Sequence, residues 1–321
     1  MDPIAPPRAH AELLVEGVIR QSDDDFLVDE LAAVEPTGEG EHLLLRIEKR
    51  GLNSADVAQD LVRAFGVEPV DVSFAGMKDR HAVTRQWFSV RGPRDATGLD
   101  AQPFPWRVLE TARHARKLRR GDLAGNRFRV RVRNLRGDVV TIRERLELLR
   151  GRGAPNYFAE QRFGRDGANV ERARSWVCHR PRANVSAFQR GLHLSTARAL
   201  LFNAVLGHRV VAGTWDRPID GDVVCEGSPT GPLWGRGRPP ASGAALATET
   251  HALAALNQWL DPLEHLGLSQ QRRTLVLRPI DFAWAFDAAE LELNFVLAPG
   301  QYATALLREI GEFNNAAGAP Q

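Results

Sequence analysis

The chain has 321 residues, of which 43% are hydrophobic and 26% are charged, and its formal net charge at pH 7 is +2. This composition is ordinary for a soluble globular protein with one large core or two smaller ones. No apolar run approaches the roughly 20 residues of a membrane helix, and the amino terminus lacks the apolar core of a signal peptide. We therefore expect a cytoplasmic protein rather than a membrane or secreted one.

The charge is unevenly distributed along the chain. Between Arg107 and Arg133, nine arginines and one lysine stand against two acidic residues, a net charge of +8, whereas the remaining 32 basic and 38 acidic residues carry −6. Such a concentration of positive charge is typical of a protein that binds a polyanion. Cys178 and Cys225 have no neighbouring ligand at metal spacing, so neither a disulfide nor a metal site is expected.

The amino-terminal part predicts strands followed by a helix. Three β-like runs extend from Leu13 to Arg20, from Phe26 to Leu31 and from His42 to Ile47. A helix capped by Asn53 or Ser54 follows, since apolar residues then recur on one helical face until a glycine ends the pattern. The alternation of strand, helix and strand predicts an α+β layer.

A short polar loop lies between a β-rich run that ends at Phe74 and another from Val83 to Val90. Gly76 is expected to let the backbone turn where a Cβ would clash, so that Lys78 and Asp79 project from a loop held at both ends. A carboxylate held beside cations is suited to act as a nucleophile or a base. The alternative is a loop whose charged residues are only solvated, which is their usual state.

Two basic stretches follow this loop. The run from His114 to Gly121 is densely cationic without helical amphipathicity, whereas arginine alternates with apolar residues from Arg127 to Arg133. The alternation places four arginines on one face of a strand. A solvated outer face is one interpretation, but few acidic residues are near in sequence, which favours a surface that tracks phosphates.

The remaining chain predicts further helices and strands. Helices are expected over residues 138–150, 168–178, 196–212 with a cap at Ser195, 249–260, and after Pro299-Gly300. Strands are expected from Thr274 to Leu277 and from Leu291 to Leu297, and the tail from Asn314 to Gln321 is expected to fray.

Three separated motifs resemble the TruD family of RNA pseudouridine synthases. They are Gly76-Met77-Lys78-Asp79 with Ala82 to Trp87, Gly125-Asn126-Arg127-Phe128, and Pro155 to Gly164, with further similarity at Asp24 to Val28, Gly38 to Leu44 and Leu293 to Glu309. The resemblance covers most of the chain. This chain departs from the family pattern at Ala159, where glycine is usual, and at Arg20, where the family often has lysine.

The resemblance implies roles for particular residues. Asp79 would be the catalytic residue, and Phe128 would stack on the target uridine beside Asn126. Further substrate contacts are expected from Arg20, Lys78, Asn156, Phe158, Gln161, Arg162, Arg116, Lys117 and Arg119. The residues alone leave alternatives open: an exposed strand-end Arg20, a core-facing Phe128, a third motif that packs between domains, and a Lys78 that holds the loop through an ion pair.

The resemblance also implies the architecture and the reaction. The expected fold is α+β, a pseudouridine-synthase fold with a mixed, mostly antiparallel sheet formed by residues 1–152 and 280–321, plus an inserted α/β (TRUD) domain at residues 153–279. The implied reaction is isomerisation of uridine to pseudouridine in tRNA, at position 13, by an aspartate. A monomer that binds tRNA, without a cofactor, a metal or a membrane, is expected.

Two other functions fit the residues by themselves. A noncatalytic RNA-binding protein, such as a folding chaperone for tRNA, would use the same basic surface and would not need Asp79. A base-excising glycosidase would usually need a second carboxylate to manage a water molecule, and neither Asp71 nor Glu68 is obviously placed for that task.

Overall fold

The computed structural model describes residues 2–10, 14–97, 99, 103–179 and 184–316, without the side chain of Arg165. The chain forms two compact units. The helical unit comprises Met1–Leu13, Val140–Arg278 and Gln301–Gly311, and the sheet unit comprises Leu14–Val139, Pro279–Gly300 and Glu312–Gln321.

The strands and helices of the described residues are as follows. The strands are β1 (Glu16–Ile19), β2 (Phe26–Ala32), β3 (His42–Arg50), β4 (Val72–Phe74), β5 (Val83–Arg91), β6 (Trp106–His114), β7 (Leu123–Arg136), β8 (Ala154–Pro155), β9 (Val224–Cys225), β10 (Ser228–Leu233), β11 (Gln271–Thr274), β12 (Val276–Leu277), β13 (Ile280–Asp287), β14 (Glu290–Leu297) and β15 (Glu312–Asn315). The α-helices are α1 (Ser54–Phe65), α2 (Val139–Arg152), α3 (Ala168–Cys178), α4 (Ala187–Val211), α5 (Gly243–Leu253), α6 (Leu260–Glu264) and α7 (Ala303–Leu307).

Ten strands among the described residues form one sheet in the sheet unit. Their order is β13-β14-β7-β2-β5-β3-β6, and β1 joins β7, β15 joins β1 and β4 joins β5. Pairing is parallel between β1 and β15 and between β2 and β5, and antiparallel elsewhere in this sheet. The predicted α+β fold with a mixed, mostly antiparallel sheet is therefore confirmed.

Helix α1 begins and ends where its sequence predicts. The Asn53 N–H donates to the Asp56 carboxylate at 3.0 Å at the amino end, and Gly66 adopts a left-handed φ of 61° at the carboxyl end. Val57 and Leu61 are fully buried against side chains of β3 and β5. Burial of such side chains stabilises the fold by about 1.5–3 kcal/mol each, which fixes the start of α1 against the sheet.

The helical unit has a separate apolar core. Helices α3, α4, α5 and α6 contribute to it around Phe163, Leu201 and Trp259, each of which is almost fully buried. Strands β9, β10 and β11 form a small antiparallel sheet, and β8 pairs with β12. No helix in the described ranges is long and apolar enough to cross a membrane.

Several predicted element boundaries are wrong. Helix α4 has Ser186 as its cap, whose hydroxyl accepts from the Gln189 N–H at 3.2 Å, whereas Ser195 lies inside the helix. The helix expected over residues 249–260 is α5 followed by a 3₁₀ turn, and Asn314 and Asn315 pair in β15 rather than fray. Residues 317–321 of the predicted frayed tail lie outside the described residues.

Strands β6 and β13 are absent from the sequence-based prediction, although Phe282, Trp284 and Phe286 alternate along β13. Both strands lie at the ends of the strand order. An edge strand is paired on one side only and tolerates polar residues on both faces, which weakens the apolar alternation of β6.

The predicted domain bounds stay a prediction. The compact units assign Val140–Arg152 and Gln301–Gly311 to the helical unit, whereas the prediction assigns both segments to the catalytic domain.

Candidate active site

Buried polar contacts hold the Asp79 loop, which we define as residues 75–82. Gln86 of β5 donates to the Gly76 carbonyl at 3.1 Å, and the Lys78 N–H donates to Ser54 Oγ at 2.9 Å. Ser54 Oγ in turn donates to Gln86 Oε1 at 2.5 Å, and both of these side chains are fully buried. The start of α1 and the middle of β5 therefore fix the loop backbone ahead of Asp79.

The expected reason for glycine at position 76 is wrong. Gly76 does not have a positive φ, and a Cβ placed on it would lie 4.0 Å from Lys78 Nζ, an ordinary van der Waals distance. Neither backbone strain nor lack of space requires glycine there. The contact that Gly76 makes in the loop is through its carbonyl, which accepts from Gln86.

Lys78 forms a buried ion pair with Glu30 of β2. Lys78 Nζ lies 2.5 Å from Glu30 Oε2, and the two side chains are 6% and 1% exposed. The Trp87 N–H donates to the other Glu30 oxygen at 3.2 Å. This geometry favours the interpretation in which Lys78 orients the loop, and its contact with substrate stays a prediction.

Asp79 presents its carboxylate to solvent beside a buried arginine. The side chain of Asp79 is 54% exposed, and its Oδ2 accepts from Arg20 Nη2 at 2.7 Å. Arg20 is buried, with its guanidinium carbon 3.9 Å from the centroid of the Phe26 ring, so the alternative of an exposed strand-end arginine is wrong. Its φ of 56° is unusual for a residue with a Cβ, and the surrounding contacts must stabilise that backbone conformation.

Lys49 is a further residue of the site that the motifs did not identify. Its fully buried ammonium donates to the main-chain carbonyls of Leu52 at 2.6 Å and Asp79 at 2.9 Å. Burial lowers the pKa of Lys49 to about 8, although the Asp79 carboxylate opposes this effect. The strand alternation contains the signal, since Lys49 shares the apolar face of Leu45 and Ile47.

We expect Lys49 to make stability depend on pH. Between pH 8 and 10.5 the unfolded chain binds a proton at Lys49 that the folded protein has lost, so stability should rise with pH across this window, by up to about 3 kcal/mol. Denaturant unfolding from pH 7.5 to 10.5 would measure this for the wild type and for Lys49→Met. A stability difference between the two proteins that stays flat with pH would contradict the assignment.

Phe128 and Asn126 of β7 lie on the same face of the sheet as Glu30 of the neighbouring strand β2. Phe128 is buried, stacked on Phe295 with ring centroids 5.3 Å apart, and in edge contact with Phe26 at 6.1 Å. Asn126 is opposite Glu30 in the strand register, and its buried Oδ1 has no hydrogen-bond partner in the described part of the chain. The predicted roles of Phe128 and Asn126 toward uridine stay predictions.

The arginines of β7 occupy the opposite strand face from Phe128, as their alternation predicts. Three of the four arginines have acidic partners, largely from the β13–β14 hairpin, whereas Arg129 is exposed and makes no ion pair with a described residue. The expectation that few acidic residues neutralise this face is therefore wrong for these three, and phosphate binding by the face stays a prediction. The ion pairs are Arg127–Asp281 (3.3 Å), Arg131–Glu292 (3.4 Å), Arg133–Asp25 (2.8 Å) and Arg133–Glu290 (2.8 Å). Asp281 is 154 residues from Arg127, so inspection of nearby sequence could not find it.

The cationic run between β6 and β7 is anchored beside the Asp79 loop. The Gly121 N–H donates to the Ala75 carbonyl at 2.8 Å, and Ser73 Oγ donates to the Leu118 carbonyl at 2.9 Å. The Leu118 side chain is buried in a cluster with Trp87. The backbone of the cationic run is thus fixed to the strands on either side of the Asp79 loop.

The cations of this run differ in their surroundings. Arg116 pairs with Asp122 at 3.0 Å. Lys117 and Arg119 are exposed and make no ion pair with a described residue, and the same holds for Arg120, which the motifs did not single out. These three side chains are available to a polyanion.

The third motif lies in the helical unit, whereas the other predicted site residues lie in the sheet unit. Asn156 is buried and donates to the Thr274 carbonyl at 2.9 Å. Phe158 is half-buried, Gln161 is exposed, and Arg162 donates to Tyr302 Oη at 2.8 Å. Their predicted contacts with substrate stay predictions.

No cluster of three or more histidine, cysteine, aspartate or glutamate side chains in the described ranges could hold a metal ion. Cys225 is exposed and forms no disulfide.

Comparison with known proteins finds extensive similarity. A family model described as tRNA pseudouridine synthase D (TruD) matches residues 11–173 and 226–310. The tRNA pseudouridine synthase D of Methylococcus capsulatus is 44% identical to this chain, with 96% of this chain and 94% of the relative covered. The proteins of the same name from Cellvibrio japonicus and Xanthomonas euvesicatoria are 43% and 42% identical, covering 96% and 97% of this chain and 93% and 95% of the relatives.

A solved structure shares the fold. It is that of a provisionally assigned tRNA pseudouridine synthase D (TruD) from Methanosarcina mazei, which is 21% identical to this chain and superposes with a TM-score of 0.73 over 97% of each chain.

Proposed function

The chain belongs to the TruD family of tRNA pseudouridine synthases, and we propose that it isomerises uridine to pseudouridine at position 13 of tRNA with Asp79 as the catalytic residue. The family isomerises uridine to pseudouridine in tRNA. The observation that best supports the role of Asp79 is its exposed carboxylate, which lies on a loop held by buried contacts and pairs with the buried Arg20.

The reaction requires one carboxylate and no redox partner. The C1′–N1 bond of the uridine breaks, the uracil turns, a C5–C1′ bond forms, C5 loses its proton and N1 gains one. Asp79 can assist either by attack on C1′ or by removal of a sugar proton. Arg20 binds Oδ2 of Asp79, which leaves Oδ1 without a partner among the described residues and free for either role.

The target uridine must leave its stack, which costs a few kcal/mol. Contacts of Lys117, Arg119 and Arg120 with tRNA phosphates would offset that cost. The unpaired oxygen of Asn126 is the kind of buried group that a bound substrate can satisfy. We propose that the protein acts as a cytoplasmic monomer, without a metal ion or cofactor.

Mapping of pseudouridine tests this proposal. Purified protein would be incubated with an unmodified, uridine-labelled tRNA transcript, and pseudouridine would then be located along the RNA. We expect one pseudouridine, at position 13, and no free uracil. Release of uracil would instead indicate a glycosidase, and binding without modification would indicate an RNA-binding protein without catalysis.

Replacement of Arg20 should slow turnover without unfolding the protein. Arg20→Met removes the hydrogen-bond donor that holds the Asp79 carboxylate, so we expect kcat to fall by about 10²- to 10³-fold. Arg20→Lys should retain part of the activity, because an ammonium can also pair with the carboxylate. Single-turnover rates on tRNA would measure both effects.

A matched control is available on β3. Arg50 forms an exposed ion pair with Asp24 at 2.8 Å. Arg50→Met makes the same chemical change on the surface and should leave kcat near the wild-type value. Wild-type kcat in Arg20→Met would show that the Arg20–Asp79 pair has no part in catalysis.

A further inference from the structure

Arg162 and Arg273 of the helical unit make no ion pair with a carboxylate among the described residues. Arg162 donates from Nη1 to Ser195 Oγ at 3.2 Å and from Nη2 to Tyr302 Oη at 2.8 Å. Arg273, on β11, donates from Nη2 to Asn156 Oδ1 at 2.6 Å. Neither guanidinium charge is balanced by an ion pair within the described ranges.

The two guanidiniums belong to one contiguous cluster. The Tyr302 ring lies 6.0 Å from the Phe158 ring, and the guanidinium carbon of Arg273 lies 4.2 Å from the centroid of Phe158. Because the Tyr302 oxygen accepts from Arg162, its own proton remains available to donate. The cluster therefore offers two cations and a neutral hydroxyl.

Three other arginines of the helical unit have either a carboxylate partner or a full set of hydrogen bonds. Arg209 pairs with Asp222 at 2.9 Å and Arg272 pairs with Glu249 at 2.7 Å. Arg198 has no carboxylate, but its three guanidinium nitrogens all donate to protein oxygens. Burial of a charge without a counter-charge or full hydrogen bonding is costly, so these arrangements are the expected ones.

Arg273 differs from all three because it has neither a carboxylate partner nor a full set of hydrogen bonds. Its Nε is buried without an acceptor, and its Nη1 also has no acceptor among the described residues. Burial lowers the pKa of Arg273 to about 10, and Arg162 acts in the same direction while the Tyr302 hydroxyl opposes both. An anion bound between Arg162 and Arg273 would supply the missing acceptors and a counter-charge for the buried guanidinium of Arg273.

We propose that Arg162, Arg273 and the Tyr302 hydroxyl form a phosphate site in the helical unit that binds a backbone phosphodiester of tRNA. The inference rests on the proposed function for its ligand. A phosphodiester accepts several hydrogen bonds, and the planar guanidinium matches its oxygens bidentately. Stacking on Phe158 holds the Arg273 fork in place before the RNA arrives. Arg273, which lies outside the motifs, and Tyr302, to which its motif assigned no role, thereby become substrate-binding residues.

The salt dependence of tRNA binding tests the site. Affinity would be measured with Asp79→Asn protein and unmodified tRNA at several salt concentrations, so that turnover does not interfere. Arg162→Gln and Arg273→Gln should each reduce the slope of log K against log salt by about 0.7–0.9. Tyr302→Phe should weaken binding with the slope unchanged, because it removes a neutral donor.

Two controls separate a phosphate contact from other effects. Arg174 pairs with Glu171 at 2.6 Å on the surface of α3. Arg174→Gln makes the same charge change as Arg162→Gln and Arg273→Gln, and it should leave the slope unchanged. Circular dichroism and thermal unfolding would verify the folds. If Arg273→Gln does not fold, Arg162→Gln and Tyr302→Phe decide the outcome.

Unchanged affinity and slope in the folded variants would overturn the site. Thermal stabilisation by inorganic phosphate that requires Arg273, together with unchanged tRNA binding, would reassign the site to a free anion and also overturn the proposal. Failure of the proposed function is distinguishable: the wild type would then form no pseudouridine, whereas the arginine variants would still lose salt-dependent tRNA binding.

Discussion

Asp79→Asn should abolish pseudouridine formation and leave tRNA binding intact. Asparagine has the same shape as aspartate, but its neutral amide can neither attack C1′ nor accept a sugar proton. We expect the single-turnover rate to fall by at least about 10⁴-fold, the size of loss expected when a group that acts on the reacting atoms is removed. Mapping of pseudouridine after long incubation would measure the residual rate.

Binding should survive because the carboxylate does not hold the loop. Lys49 binds the main-chain carbonyl of Asp79, and Ser54 and Gln86 bind other backbone groups of the loop. Asp71→Asn is the matched control, since it makes the same change just before β4, and it should retain activity. Turnover near the wild-type rate by folded Asp79→Asn, with tRNA bound, would refute the catalytic role.

The parts of the fold that were predictable from sequence are those fixed by local patterns. Helix α1 has a capping residue, a periodic apolar face and a terminal Gly66, and all three operate within a few residues of one another. The alternation of β7 likewise placed Phe128 on the buried face and the arginines on the other. Such features need no knowledge of distant partners.

The parts that were not predictable depend on tertiary pairing. The acidic partners of Arg127 and Arg131 come from a hairpin far along the chain. More of the positive charge in this segment is therefore neutralised than its local composition indicates. Arg20 follows the end of β1, and its buried position depends on Phe26 and the Asp79 loop. Lys49 was identifiable in principle, as a lysine on an apolar strand face, but the two carbonyls that accept from its ammonium were not.

Lys78→Met should destabilise the protein strongly, because it leaves Glu30 charged, buried and without its cation. Loss of one partner from a buried pair costs about 3–5 kcal/mol. Lys78→Met combined with Glu30→Gln removes both charges and should recover much of that loss. The Arg63–Asp60 pair, whose arginine is exposed, is the control, and Arg63→Met should change the free energy of unfolding by less than about 1 kcal/mol.

The double variant also separates the two interpretations of Lys78. If Lys78 only orients the loop, restored stability should be accompanied by near-wild-type tRNA affinity and an unchanged salt slope. If its ammonium contacts RNA, tRNA binding should remain weak in the double variant and the slope should fall by about 0.7–0.9. Because Glu30 already lies 2.5 Å from Lys78 Nζ, we expect the first result, which would make Lys78 a positioning residue for Asp79.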